Sequence, residues 1–155
     1  MNLSQVLPHL LVGSCPTTTD DIYHLKVENG ITAILNLQTD NDFDYCDLDW
    51  SRIEAHCQEL GVEVQRIPVR DFDGLDLRKK LPQCVQALDE LLQDSHTVYT
   101  HCNVGSGRSP NVAIAYLIWR QGWNLDDAME HVTRCRTCSP NIDAIVLAGG
   151  DRVAA

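Results

Sequence analysis

One short stretch of the chain combines residue types that can bind and transfer a phosphoryl group. It runs from Cys102 to Ser109, reads CNVGSGRS, and is called the anion loop below. Its two glycines permit backbone conformations that point successive N–H groups into one concavity. Arg108 adds a planar guanidinium that can hold two phosphoryl oxygens at once, a geometry that lysine lacks. We therefore predict a phosphate-binding site that consists of Asn103, Val104, Gly105, Ser106, Gly107, Arg108 and Ser109.

Cys102 begins the anion loop, and its sulfur would lie beneath a bound phosphorus atom. Amide donors, the first turn of the following helix and Arg108 should all favour the thiolate, which makes Cys102 a nucleophile at neutral pH. We expect His101 to fix the loop by hydrogen bonding and the Ser109 hydroxyl to stabilise the departing thiolate. A cysteine is more often a small buried hydrophobe, and this is our interpretation of four others: Cys15, Cys46, Cys57 and Cys84.

Attack on a phosphate monoester expels an alkoxide, and an acid that protonates it typically contributes about a hundredfold to ten-thousandfold to the rate. Three aspartates follow a predicted strand in the segment VRDFDGLDLRKKLP. Asp71 is the favoured acid because it comes first, and because the neighbouring Phe72 could shield its carboxyl and stabilise the protonated form. Asp73 is the second choice. Asp76 fits better as the N-cap of the next helix.

The chemistry assembled from these residues requires neither a metal nor a cofactor. Cys102 attacks phosphorus, Asp71 protonates the leaving oxygen, and the same carboxylate then activates water. The CxxC of Cys135 and Cys138 lacks the second pair of a structural zinc site. No lysine follows the last glycine of the anion loop, as a Walker loop requires, and the third glycine of a dinucleotide fingerprint is missing.

Alternating strands and helices must position these residues. Short apolar or alternating runs predict strands at Leu7–Val12, Ile31–Leu37, Val62–Val69 and Val98–His101. Helical patterns fall at Thr19–Glu28, Trp50–Leu60, Leu77–Leu92, Asn111–Gln121 and Leu125–Cys135. This order predicts an α/β fold with a central, mostly parallel twisted sheet and helices on both faces. Ligands of such folds bind beyond the carboxyl ends of the strands, where the anion loop begins.

Composition limits the classes of partner. The 155 residues are 44% hydrophobic, which fits one domain, and the formal net charge of −10 argues against nucleic acid and anionic membranes as partners. The first residues lack the features of a secretory signal, and no run of about 18 apolar residues is present. Seven cysteines suit a reducing compartment. We expect a cytoplasmic monomer.

Aromatic and acidic residues alternate in a second segment of interest. Phe43, Tyr45 and Trp50 fall within eight positions, among Asp42, Asp44, Asp47 and Asp49. Aromatic rings pack against the C–H faces of sugars and carboxylates bind their hydroxyls, so the segment suits a sugar chain and repels polyphosphates. Phe43 and Trp50 could equally be core or helix-start residues, and the sequence does not decide between these alternatives. Tyr45 is the more exposed candidate.

The string HCNVGSGRS, residues 101–109, resembles the HCxxGxxR(S/T) signature of cysteine-dependent protein tyrosine and dual-specificity phosphatases. The segments LVGSCPTT, ILNLQTDNDFDY, RDFDGLDLRKKLP and CRTCSPNIDAI are similar to those of plant glucan (starch) phosphatases, which are laforin-like in activity. The resemblance covers Leu7 to about Ala148 and implies the dual-specificity phosphatase fold. It also implies that Asp71 is the acid and that Phe72 and Tyr45 contact glucan.

The resemblance implies an enzyme that removes phosphate monoesters from phosphorylated α-glucan, such as glycogen or starch. A protein phosphatase for phosphotyrosine and phosphoserine/threonine is the alternative, because Ser109 stands where the glucan enzymes usually have alanine. We expect residues 1–155 to form a single catalytic domain without a separate carbohydrate-binding module. A silent carbohydrate-binding scaffold and a rhodanese-like sulfur transferase fit less well, since Cys102, Arg108 and Asp71 are all present.

Overall fold

The computed structural model describes residues 1–154 of the chain. Its strands are β1 (Leu3–Leu7), β2 (Leu10–Gly13), β3 (Ala33–Asn36), β4 (Glu63–Arg66) and β5 (Val98–His101). They form one sheet in the order β1-β2-β5-β3-β4, in which β1 runs antiparallel to β2 and all other neighbours are parallel. The predicted mostly parallel sheet is confirmed.

Helices cover both faces of this sheet, as the sequence predicts. Those of residues 1–154 are α1 (Thr19–Asn29), α2 (Asp40–Tyr45), α3 (Trp50–Glu59), α4 (Gly74–Gln93), α5 (Arg108–Gln121), α6 (Leu125–Cys135) and α7 (Ile142–Ala154). Alternate residues of a strand point to opposite faces. Leu35 and Val98 accordingly pack with α4, α5, α6 and α7, whereas Ile34 and Tyr99 pack with α1 and α3.

Three local predictions are wrong. Leu7–Val12 is not one strand, because a turn at Pro8 and His9 separates β1 from β2. The helices α2 and α7 were not expected from the sequence. Asp76 is not the N-cap of α4: Asp73 takes that position and accepts a hydrogen bond from the Asp76 amide at 2.9 Å, whereas the Asp76 side chain is buried.

The register of the parallel strands places the anion loop at the middle of one sheet edge. His101, the last residue of β5, lies beside Gly13 of β2 and Asn36 of β3. All four residues of β5 are buried. Cys102 therefore leaves the sheet between two neighbouring strands at their common carboxyl end, as expected for a ligand site in this architecture. None of the helices within residues 1–154 is both long and apolar enough to cross a membrane.

Candidate active site

The carbonyl groups of the anion loop are all bound on its outer side. The Cys102 carbonyl accepts from His101 Nδ1, and the Asn103 carbonyl accepts from the Cys15 amide. The Gly107 carbonyl accepts from Asn111. The Ser106 carbonyl accepts from the Ser139 amide at 2.8 Å. Arg136 donates to the two remaining carbonyls, those of Val104 and Gly105.

The main-chain N–H groups of the same loop differ from its carbonyls. Among residues 1–154, no group accepts a hydrogen bond from the main-chain N–H of residues 103–107. In a trans peptide the C=O and N–H point in opposite directions, so outward carbonyls require inward amides. Gly105, with φ at 72°, supplies the left-handed conformation that keeps neighbouring peptides turned the same way. The loop is thus a nest of unpaired donors beside Cys102.

Arg108 presents one edge of its guanidinium towards this nest. The side chain is buried, and Nη1 donates to the Val69 carbonyl at 2.7 Å and to Asp42 Oδ2 at 2.6 Å. Its Nε and Nη2 are buried and have no hydrogen-bond partner among residues 1–154. Nε and Nη2 form the edge that binds an oxyanion in bidentate fashion, so the edge that phosphate needs makes no hydrogen bond to the described residues, and its charged neighbour is Asp71 Oδ2, 3.3 Å from Nη2.

Asp42 is the residue that holds Arg108 in this orientation. Its Oδ2 accepts from Arg108 Nη1 and from the Thr39 amide, and its Oδ1 accepts from Asn103 Nδ2 at 2.9 Å. Burial alone would raise the pKa of Asp42, but hydrogen bonds from Arg108, Thr39 and Asn103 lower it below its usual range. The sequence alone does not reveal this role. Thr39 and Asp42 form a capping box at the start of α2, and this local spacing gives no sign of an ion pair 66 residues away.

We expect Asp42→Asn to lower kcat/KM for an aryl phosphate about tenfold to a hundredfold. An asparagine has one acceptor oxygen, so its amide would face either Asn103 or Arg108; such a lost partner costs about 1–3 kcal/mol. Steady-state hydrolysis measures the effect, and Asp44→Asn, on the exposed face of α2, is the matched control. An unchanged rate in Asp42→Asn would show that Arg108 does not depend on this carboxylate.

Cys102 is surrounded by groups that match its predicted role. Cys102 is 2% exposed, and the Ser109 hydroxyl lies 3.3 Å from its sulfur, within hydrogen-bond reach. Burial, reinforced by Arg108, lowers the pKa of His101 to about 4, so the imidazole is neutral at pH 7. Its Nδ1 lies 3.1 Å from the Cys102 carbonyl and must carry the proton, because a carbonyl only accepts. His101 therefore fixes the loop and does not titrate near neutral pH, as predicted.

A cavity of about 450 Å³ opens above the anion loop. Its lining brings together Cys102, Arg108, Asp71 and Phe72. Asp71 Oδ2 lies 3.3 Å from Arg108 Nη2, and about one third of its side chain is exposed. The carboxyl that was predicted to serve as the acid thus faces the same space as the nucleophile. Asp73 also lines the cavity, but its Oδ1 caps α4.

The predicted shielding of Asp71 by Phe72 is wrong. The Phe72 ring is fully exposed, and the residue has φ at 55°, in the left-handed region that bulky side chains rarely adopt. The ring therefore lines the mouth of the cavity and does not cover the carboxyl. This position suits contact with a bound substrate more than control of the charge on Asp71.

The aromatic segment does not form one platform. Phe43 is buried, with its ring centroid 5.2 Å from that of Trp50 and the two rings nearly parallel, and the Arg66 guanidinium lies 4.5 Å from the Phe43 centroid. Phe43 and the partly buried Trp50 therefore take the core positions that the sequence left open, and we correct their assignment as substrate contacts. Tyr45 is 86% exposed at the end of α2 but is not among the residues that line the cavity.

Comparison with known proteins identifies the family of this chain. Residues 11–145 match the family model described as dual specificity phosphatase, catalytic domain. The chain belongs to the dual specificity phosphatase family. This membership confirms the resemblance of residues 101–109 to the family signature and the prediction of a cysteine-dependent phosphatase.

Two similar proteins are a phosphoglucan phosphatase and laforin. The phosphoglucan phosphatase LSF1, chloroplastic, of Arabidopsis thaliana is 39% identical over 154 residues, which are 99% of this chain and 26% of that protein. Laforin of Mus musculus is 34% identical over 135 residues, 81% of this chain and 41% of that protein. The chain spans less than half the length of each relative. For this chain, the cytoplasmic location, the monomeric state and the single-domain organisation remain predictions.

Solved structures show the same fold. The crystal structure of PTPMT1 superposes with a TM-score of 0.78 at 20% sequence identity, and the match covers 99% of both chains. The predicted dual-specificity phosphatase fold is therefore confirmed over the length of the domain.

Proposed function

We propose that this domain hydrolyses phosphate monoesters of α-glucan through a cysteinyl-phosphate intermediate. The observation that carries the phosphatase chemistry is the nest of unpaired amides beside Cys102, closed by the Nε–Nη2 edge of Arg108, which makes no hydrogen bond within residues 1–154. A bound phosphate dianion would contact both the amides and Arg108, although the chain as a whole is acidic. The glucan as substrate class is supported by the relatives named as phosphoglucan phosphatase and laforin.

In the first step the Cys102 sulfur attacks phosphorus, an S–P bond forms and the P–O bond to the sugar breaks. The loop amides and Arg108 stabilise the equatorial oxygens, which carry most of the charge in a loose transition state. Asp71 donates its proton to the leaving oxygen. In the second step water attacks phosphorus, Asp71 takes a proton from that water, and the S–P bond breaks with the Ser109 hydroxyl donating to the thiolate.

The exposed position of Phe72 supports the proposal that the substrate is larger than phosphate alone. Folding gains nothing from a fully exposed ring, and a left-handed φ at a bulky residue costs free energy. A ring at the mouth of the cavity offers an apolar face to the C–H groups of a glucosyl unit. Tyr45, outside the cavity lining, would contact units of the chain further from the phosphate.

The decisive experiment compares phosphate release from phosphorylated glucan with release from phosphopeptides at matched concentrations of phosphate ester. We expect faster release from glucan. Equal or faster release from peptides, phosphotyrosine or phosphoserine/threonine, would favour the protein phosphatase alternative. The absence of phosphate release from glucan, from peptides and from an aryl phosphate would contradict the phosphatase chemistry itself.

Phe72→Ala and Tyr45→Ala should each lower kcat/KM for phosphoglucan about three- to tenfold, the range expected for one lost ring contact. Hydrolysis of an aryl phosphate should change little, because the anion loop, Arg108 and Asp71 stay in place. Tyr23→Ala, which removes a half-exposed ring from α1, is the matched control. An equal loss on both substrates would mean that neither ring recognises the glucan.

A further inference from the structure

Arg136, at the C-terminal end of α6, is buried beneath the anion loop and has no role in the chemistry described so far. The residue is 8% exposed, and its side chain makes five hydrogen bonds. All five acceptors are uncharged oxygens: the carbonyls of Val12, Val104 and Gly105, the Ser4 hydroxyl and the Asn2 side-chain oxygen. A buried cation that is not paired with a carboxylate is costly to desolvate, which calls for a reason beyond packing.

Two of these hydrogen bonds fix peptides at the tip of the anion loop. Arg136 Nε donates to the Gly105 carbonyl at 2.7 Å, and Nη2 donates to the Val104 carbonyl at 3.3 Å. The carbonyl of Val104 shares a planar peptide with the amide of Gly105, and the carbonyl of Gly105 shares one with the amide of Ser106. Holding both carbonyls outward therefore aims the Gly105 and Ser106 amides inward.

We infer that Arg136 is a positioning residue for oxyanion binding, acting through these two peptides. Gly105 has little intrinsic preference between left- and right-handed φ, so rotation of its peptides is opposed mainly by their contacts. Rotation of either peptide would turn a carbonyl dipole towards the bound dianion. The fork of one guanidinium spans both carbonyls, which a single ammonium group cannot do with the same geometry.

A purely structural role is the competing explanation, because the same side chain ties β1 and β2 to the loop. Its Nη1 donates to Ser4 at 3.3 Å and to Val12 at 2.9 Å, and Nη2 donates to Asn2 at 2.9 Å. An arginine that only links these segments, called the clamp below, would affect the free energy of unfolding and not the affinity for an oxyanion. Oxyanion affinity, measured on folded protein, separates the two roles.

The test uses tungstate, an unreactive phosphate analogue, with binding followed by calorimetry. Arg136→Lys, which keeps the charge and loses the fork, should bind tungstate about tenfold to a hundredfold more weakly than the unmodified chain and lose kcat/KM on an aryl phosphate in parallel. Arg134→Lys, on the exposed end of the same helix, is the matched control. Tungstate affinity of Arg136→Lys within about twofold of the unmodified chain would overturn the inference.

A second variant isolates the clamp. Asn2→Ala combined with Ser4→Ala removes the contacts to β1 and leaves those to the loop carbonyls, so it should lower the melting temperature without weakening tungstate binding. Weakening equal to that of Arg136→Lys would mean that the tie to β1 matters and the loop carbonyls do not.

One measurement does not depend on the folding of any variant. On addition of tungstate to the unmodified chain, the NMR signals of the Gly105 and Ser106 amide protons should move downfield, as hydrogen-bonded protons do. Unshifted signals, with tungstate bound, would overturn the inference and leave the proposed function standing. The inference rests on the proposed phosphate site, so failure of the unmodified chain to bind tungstate would remove both.

Discussion

Replacement of Cys102 by serine should lower the rate of aryl phosphate hydrolysis by about four orders of magnitude or more, as for other covalent nucleophiles. A serine hydroxyl is a weak nucleophile without a base, and the neighbouring His101 is a poor base because burial lowers its pKa to about 4. The measurement is release of the coloured phenol under saturating substrate. Retention of tungstate binding in the variant would show that the anion loop is intact.

A second cysteine provides the control for this variant. Cys57 lies in the core against α1, and burial raises the pKa of its thiol to about 11, so it is not a nucleophile at neutral pH. Cys57→Ser should leave the rate of folded protein unchanged. Substantial turnover by Cys102→Ser would contradict the assignment of the nucleophile.

Replacement of Asp71 by asparagine should lower kcat/KM, which reports the steps up to formation of the cysteinyl phosphate, about a hundredfold to ten-thousandfold for esters of poor leaving groups, such as sugar phosphates. The amide keeps the shape of the carboxyl but has no acidic proton to donate to the leaving oxygen. For an aryl phosphate whose phenolate departs unaided, the loss should be much smaller. The ratio of the two losses therefore measures general acid catalysis separately from damage to the site.

Asp73→Asn is a matched comparison for that variant. Asparagine caps a helix about as well as aspartate, so α4 keeps its N-cap while the carboxyl is removed. We expect little effect on either substrate. A loss larger than that of Asp71→Asn, confined to poor leaving groups, would move the acid role from Asp71 to Asp73.

Most of the strands and helices can be predicted because their hydrophobic patterns extend over enough residues to be recognised. The strand β5 and the helix α6 have the predicted limits, and α1, α3 and α5 differ by a few residues at their ends. The short helix α2 has six residues, most of them charged or polar, which is too few for a helical period to stand out. In α7 two adjacent glycines weaken the helical signal.

By itself the sequence determined where the anion loop lies, and it predicted Cys102 as the nucleophile and Asp71 as the acid, because these inferences depend on residues that are close together along the chain. Only the tertiary structure decided what lies around them. Asp42 reaches Arg108 across 66 positions and Arg136 reaches Gly105 across 31. Phe43 is buried against Trp50, whereas Phe72 is left exposed. Such pairings and burial depend on how the sheet brings distant segments together, and residue type and spacing along the chain do not encode that directly.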